Sequence, residues 1–187
     1  MAKDPKHERI RKAWGKFLAG YPLQWVAHLS FRRVPRAEDA KERLKLWTRD
    51  ICRGEGLRVA SLSIYNELNR AHIHSLLLSK PSPEEKTLKD VSPSKWASNW
   101  QNTKYTPDIM DFMGGTAEVE EIYDLEGIGD YLASNVTIKR PEKSDIWYYD
   151  LELLGSYKSA SLPADAAKMS PEELMEKVKK GEIDLFE

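Results

Sequence analysis

A single cysteine, Cys52, stands among 187 residues. That excludes an internal disulfide and a cysteine-built zinc site, and a reducing, cytoplasmic setting is the expected one. Long apolar runs are missing as well. None approaches the ~20 residues of a membrane-spanning helix, so no membrane partner is expected. The charged N-terminus lacks the apolar stretch of a secretory signal. No G-x-x-x-x-G-K-[ST] loop is present, so the chain carries no nucleotide-driven helicase of its own. No internal repeat is visible. A net charge of −1 exerts no global pull on nucleic acid.

Charge is nevertheless uneven. Residues 1–53 hold 14 Lys/Arg against 6 Asp/Glu, and residues 107–130 hold 8 Asp/Glu with no Lys or Arg. A basic front and an acidic middle suit a nucleic-acid face beside a metal region, or two solvated surfaces. Six Trp, eight Tyr and four Phe suffice for a core. The length suits one domain, read here as residues 1–155, with 156–187 a small-residue tether and a short helix.

The most informative run is Arg70-Ala71-His72-Ile73-His74-Ser75-Leu76-Leu77-Leu78. As a strand, its period of two points His72 and His74 to one face, and its apolar tail predicts burial on both faces. Two imidazoles on one face can grip a metal ion. They can also be core histidines bonded to neighbours.

Around it the pattern alternates between elements. Asp4-Pro5 opens a basic helix that Gly20 and Pro22 end. Trp25 to Phe31 alternates as a strand, with Trp25, Ala27, Leu29 and Phe31 on one face and Val26, His28 and Ser30 on the other. Arg32, Arg33 and Arg36 follow, a cluster able to hold phosphates or to line a solvated loop. Ala37 to Arg53 is an amphipathic helix with Ala40, Leu44, Trp47 and Ile51 on one stripe, ended by Gly54 and Gly56. Arg58 to Tyr65 and the histidine run form a hairpin around Asn66 to Asn69. Lys80 to Asp90 reads as a loop. Ser92-Pro93 starts a helix whose Trp96 and Trp100 are core anchors or base-stacking platforms. Thr116 to Tyr123 is a strand. Asp124 caps a helix carrying Tyr131 and Asn135 on one face, with Gly127 leaving space beside the phenol. Trp147 to Leu154 is a further strand, and Ser170-Pro171 caps a last helix over 171–180.

This order of parts resembles the HUH endonuclease superfamily, the rolling-circle replication initiators, and especially the Rep proteins of plasmids and phages. Trp25 to Phe31 is similar to the family's first motif, His72-Ile73-His74 to the second, and Tyr131 to the tyrosine of the third. Asn135 stands where that motif usually has Lys. The likeness spans residues 22–140. It implies an α+β fold, a central five-stranded antiparallel sheet with flanking helices, and a metal site on the central strands. It implies that His72, His74 and a third polar ligand bind Mn²⁺ or Mg²⁺. Glu67 is the nearest carboxylate for that third place, with Tyr65 or Asn66 as alternatives.

The implied activity is sequence-specific nicking and joining of single-stranded or hairpin DNA at a replication origin. Tyr131 would attack the phosphate, giving a 5′-phosphotyrosine link and a free 3′-OH, with unwinding left to a host helicase. Tyr123 is a second candidate nucleophile, expected on a strand. Two other readings stand beside this one. One is a Rep-like DNA-binding module with weakened or lost chemistry, in keeping with Asn135. The other is a metal-binding structural domain.

Overall fold

The computed structural model describes residues 20–66, 70–80, 86–102, 114–124, 127–128 and 144–156, with a few single positions in the first 18 residues and the last 15. The N-terminal and C-terminal helices therefore lie largely outside the described residues. Glu67, Tyr131 and Asn135 lie outside them altogether. One compact unit comprises Leu23–Ile122 with Glu142–Asp150; Met1–Pro22, Tyr123–Pro141 and Leu151–Glu187 form a second.

The first unit is an α+β fold. Its elements are β1 (Trp25–Phe31), α1 (Ala37–Glu55), β2 (Arg58–Asn66), β3 (His72–Lys80), α2 (Pro93–Asn102), β4 (Gly114–Glu121) and β5 (Ser144–Tyr149). The five strands make one sheet in the order β4-β1-β3-β2-β5, and each neighbouring pair is antiparallel. The strand that carries both histidines is thus the central one. Among the described residues no helix is long and apolar enough to cross a membrane.

Alternation explains the sheet's two faces. Trp25, Ala27, Leu29 and Phe31 of β1, with Ile73 and Leu77 of β3, Val59 and Tyr65 of β2 and Trp147 of β5, pack with Ala40, Leu44, Trp47 and Ile51 of α1 and with Trp96 and Trp100 of α2. Both α2 tryptophans are buried, which makes them core anchors and not stacking platforms. Polar atoms stitch this core. Trp47 Nε1 donates to the Trp96 carbonyl (3.0 Å), Arg43 Nη2 to the Trp100 carbonyl (3.0 Å), and Trp100 Nε1 to the Ser30 carbonyl (2.9 Å). The buried Arg43 guanidinium also lies over the Trp100 ring, 4.5 Å from its centroid, a stacked setting that suits a weakly hydrated planar cation.

Several boundaries differ from the sequence reading. Helix α1 runs through Gly54 to Glu55 and stops at Gly56, whose φ of 69° is the left-handed cap. Within the expected 80–90 loop, Lys80 ends β3 and Leu88–Asp90 is a 3₁₀ turn closed by a Thr87–Asp90 capping box. Strand β4 begins at Gly114 and ends at Glu121, so Tyr123 is not on a strand; it is 89% exposed. The expected strand 147–154 also breaks. It ends at Tyr149, Asp150 takes φ 53°, and Leu151–Ser156 is a short helix, α3. The Asp150 carboxylate accepts two bonds from Arg58 (Nε 2.5 Å, Nη2 2.7 Å), a bidentate pair that holds the turn residue against β2. In the second unit, Asp124 Oδ1 accepts from the Gly127 N–H (3.1 Å), as its expected cap role requires.

Gly114 allows β4 to start flush against α2. A Cβ there would overlap the Trp100 carbonyl oxygen and lie 2.7 Å from Trp100 Cδ1. That tryptophan cannot yield without breaking its bond to Ser30. Gly114→Ala should therefore lower stability by about 1–3 kcal/mol, read as a reduced urea midpoint with unchanged m-value.

Candidate metal and nucleic-acid site

The face of the sheet opposite the tryptophan core carries the histidines. Register decides what stands beside them. His74 of β3 lies opposite His28 of β1, and His72 lies opposite Ser30. Across β4, His28 pairs with Glu118. Across β2, His74 faces Ile64 and His72 faces Asn66. Three rows result along the sheet. Glu120, Val26, Leu76 and Leu62 make one row, apolar but for its edge; Glu118, His28, His74 and Ile64 make the next; Ser30, His72 and Asn66 make a polar one.

The three rings touch. The His28 and His74 centroids are 4.8 Å apart at 80°, and those of His72 and His74 are 4.7 Å apart at 86°, both edge to face. His74 is the most enclosed, 5% exposed. Burial first, then the neighbouring His72 and His28, push its pKa from 6.5 down to about 3. Burial also lowers His28, against the raising influence of Glu118 and Glu120. At neutral pH both are uncharged, which is the form that binds metals.

Hydrogen bonding also sets a tautomer. His72 Nδ1 lies 2.7 Å from the Arg70 carbonyl, which can only accept, so the neutral ring carries its proton on Nδ1 and its lone pair on Nε2. Arg70 itself takes φ 118°, rare for a residue with a side chain. A strained residue whose carbonyl orients a ring is a common device at functional sites. On β1, the Glu118 carboxylate is 3.9 Å from His28 Nδ1.

The donor chemistry fits a borderline divalent ion, since imidazole nitrogen suits Mn²⁺ better than Mg²⁺. Among the described residues, no group of three or more His, Cys, Asp or Glu side chains is arranged to hold an ion. His72 and His74 would supply two ligands. Of the places considered for a third, Tyr65 is on the other face, stacked on Trp147 at 4.8 Å with its hydroxyl donating to the Pro35 carbonyl. Asn66 shares the His72 row. Glu67 is outside the described residues, as are Tyr131 and Asn135.

The arginines leave β1 at the His72 end of the sheet. Arg32, Arg33 and Arg36 are all exposed. Arg36 is engaged by Asp39, with Nε to Oδ2 at 2.6 Å and Nη2 to Oδ1 at 3.2 Å. Arg32 and Arg33 stand before it at the exit of β1. The residue sequence reasoning missed is His28. Its alternation already set it on the polar-leaning face of β1; the pairing of β1 with β3, and its register, were not legible.

The lowered histidine pKa values carry a pH signature. A histidine depressed in the folded state takes up its proton more readily when unfolded, so its stabilising effect is complete above ~6.5 and declines as pH falls toward 3. Between pH 6.5 and 5, before carboxylates titrate appreciably, stability should drop by on the order of 1–2 kcal/mol. Urea midpoints across that range should show it, and His74→Gln should flatten the slope.

Compared with family models, with curated proteins and with solved structures, the chain matches none.

Proposed function

We propose that the chain is a metal-dependent enzyme that nicks and joins single-stranded DNA through a tyrosine nucleophile, in the manner of a rolling-circle replication initiator. The observation that carries this reading is the side-by-side presentation of His72 and His74 by the central strand of a five-stranded antiparallel sheet, on the face away from α1 and α2.

In this reading His72 and His74 hold a divalent ion through their Nε2 lone pairs. A bound ion supplies Lewis-acid polarisation of the scissile phosphate. Tyr131 supplies the nucleophile. A tyrosine phenol, with a reference pKa near ~10, must lose its proton as it attacks. The new bond joins Tyr131 Oη to phosphorus; the bond from phosphorus to the 3′-oxygen breaks, and that oxygen leaves protonated as the free 3′-OH. Reversal by a second 3′-OH rejoins strands and frees the tyrosine. Asn135 donates a hydrogen bond to the phosphate where a lysine would add charge. Arg32 and Arg33 neutralise neighbouring phosphates, which makes binding salt-dependent.

A second reading, a DNA-binding module without chemistry, draws on Asn135 and on the acids Glu118 and Glu120 of β4, which bring negative charge beside His28.

The two separate in one experiment. The protein is incubated with Mn²⁺ and single-stranded oligonucleotides containing hairpins, then run on a denaturing gel. The enzyme reading expects a covalent adduct lost on chelation, in Tyr131→Phe, and at least 100-fold reduced in His72→Ala and His74→Ala. Salt-dependent binding that survives chelation, with no adduct on any substrate, establishes the module instead.

A further inference from the structure

We propose that His28 is the third imidazole of the metal site, so that β1 and β3 build the site together. This rests on the metal reading above and names a ligand that it leaves open.

Four observations carry it. First, His28 lies directly opposite His74 in register, on the same face, so the two imidazoles leave adjacent strands in parallel. Second, the spacing is that of rings sharing an ion. With nitrogen-to-metal bonds near ~2.1 Å, ligand rings at neighbouring positions of one octahedral or tetrahedral ion stand with centroids roughly 4.5–5.5 Å apart. The two ring pairs here stand 4.8 and 4.7 Å apart, with His74 between the others. The rings are not converged on one point. Rotation about χ2, the motion that re-aims ring nitrogens, is soft for an imidazole.

Third, the outer partners agree. The Arg70 carbonyl sits on Nδ1 of His72, and the Glu118 carboxylate stands 3.9 Å from Nδ1 of His28. A hydrogen-bonded oxygen at Nδ1, as in His72, favours the tautomer with its lone pair on Nε2, the arrangement that orients metal-bound histidines; the Glu118 carboxylate acts on His28 through its charge. Fourth, Nε2 of His28 and Nε2 of His74 are both buried. Glu118 in this view is a positioning residue for His28 and touches no metal.

The test is Mn²⁺ binding to the full chain, by electron paramagnetic resonance titration, for the wild type and for His28→Ala, His72→Ala and His74→Ala, each melted in chelator to check folding. The expected result is a loss of at least tenfold in Mn²⁺ affinity for His28→Ala, comparable with His72→Ala, at an unchanged melting temperature. Wild-type affinity in His28→Ala, with binding lost in His72→Ala and His74→Ala, overturns the assignment and leaves the metal reading standing. No binding by the wild type overturns both. Should His28→Ala melt early, the wild type decides: of four ¹⁵N-labelled histidine rings, three show direct coupling to bound ¹¹³Cd²⁺ if His28 is a ligand, and only two if it is not.

Discussion

The register between β1 and β3 is the constraint on which the rest depends. Side chains alternate with a period of two, so a slip of one residue would turn every β1 side chain to the opposite face. Trp25, Leu29 and Phe31 would leave the core, and His28 would enter it. The pairing is pinned at one end, and at the other β1 is held against α2 and β4. At one, the Gln24 N–H donates to the Leu77 carbonyl (2.9 Å), while Gln24 Oε1 accepts from the Ser79 N–H (3.0 Å) and hydroxyl (2.6 Å). At the other, Trp100 Nε1 holds the Ser30 carbonyl where the β1–β4 register shifts between Leu29 and Phe31. The Ser30 hydroxyl meets the Thr116 hydroxyl and carbonyl there, each at 2.9 Å. The Gln24–Ser79 bonds are buried and the Trp100–Ser30 bond half-buried, where an unmade bond costs about 1–3 kcal/mol.

With register set, the sheet divides its labour by face. The tryptophan face supplies the hydrophobic driving force, and its side chains are locked by packing and by indole bonds to backbone. The histidine face inherits that rigidity through the shared backbone. His74 is held in a setting that keeps it uncharged, and its neighbours penalise protonation further. Burying an imidazole in this way is unfavourable compared with burying Leu at the same place. A buried ring with two half-buried imidazoles in contact with it therefore calls for more than packing. The same β3 strand shows the alternative two residues on, where Leu76 fills the equivalent place fully buried.

Much of this was legible in the sequence. The alternation of Trp25 to Phe31 gave β1 its bounds and both faces, and the stripe Ala40, Leu44, Trp47 and Ile51 is the buried side of α1. The hairpin of β2 and β3, the placement of His72 and His74 together, and the five-stranded antiparallel sheet were likewise expected and are present. What could not be read had a common cause. Strand 147–154 broke because Arg58, 92 residues earlier, captures Asp150. Gly54 stayed helical because no glycine in a well-packed helix need end it. Gly114 entered β4 because only Trp100, brought close by the fold, reveals why a side chain is barred there. His28 joined the site because two strands 41 residues apart pair with one register and not another. Each depends on long-range geometry, which local periodicity does not contain.

The uneven charge of the chain acquires a direction from the fold. The basic exit of β1 follows the end of the strand that carries His28, and the acidic strand β4 pairs with that same strand. Arg32 and Arg33 leave β1 just beyond Ser30, beside the polar row with His72. Glu118 and Glu120 lie on the edge strand, alongside His28 and Val26. A polyanion approaching the histidines is drawn in at the polar end and repelled along the edge strand. Screening confines each influence to about 8 Å at physiological ionic strength. The acids also favour a cation close to His28, where they raise the potential cost of losing one. The asymmetry is thus compatible with an ion held at the histidines and an anionic strand laid toward the arginines: the carboxylates repel the strand from one edge, and an ion at the rings would offset that repulsion where the two meet.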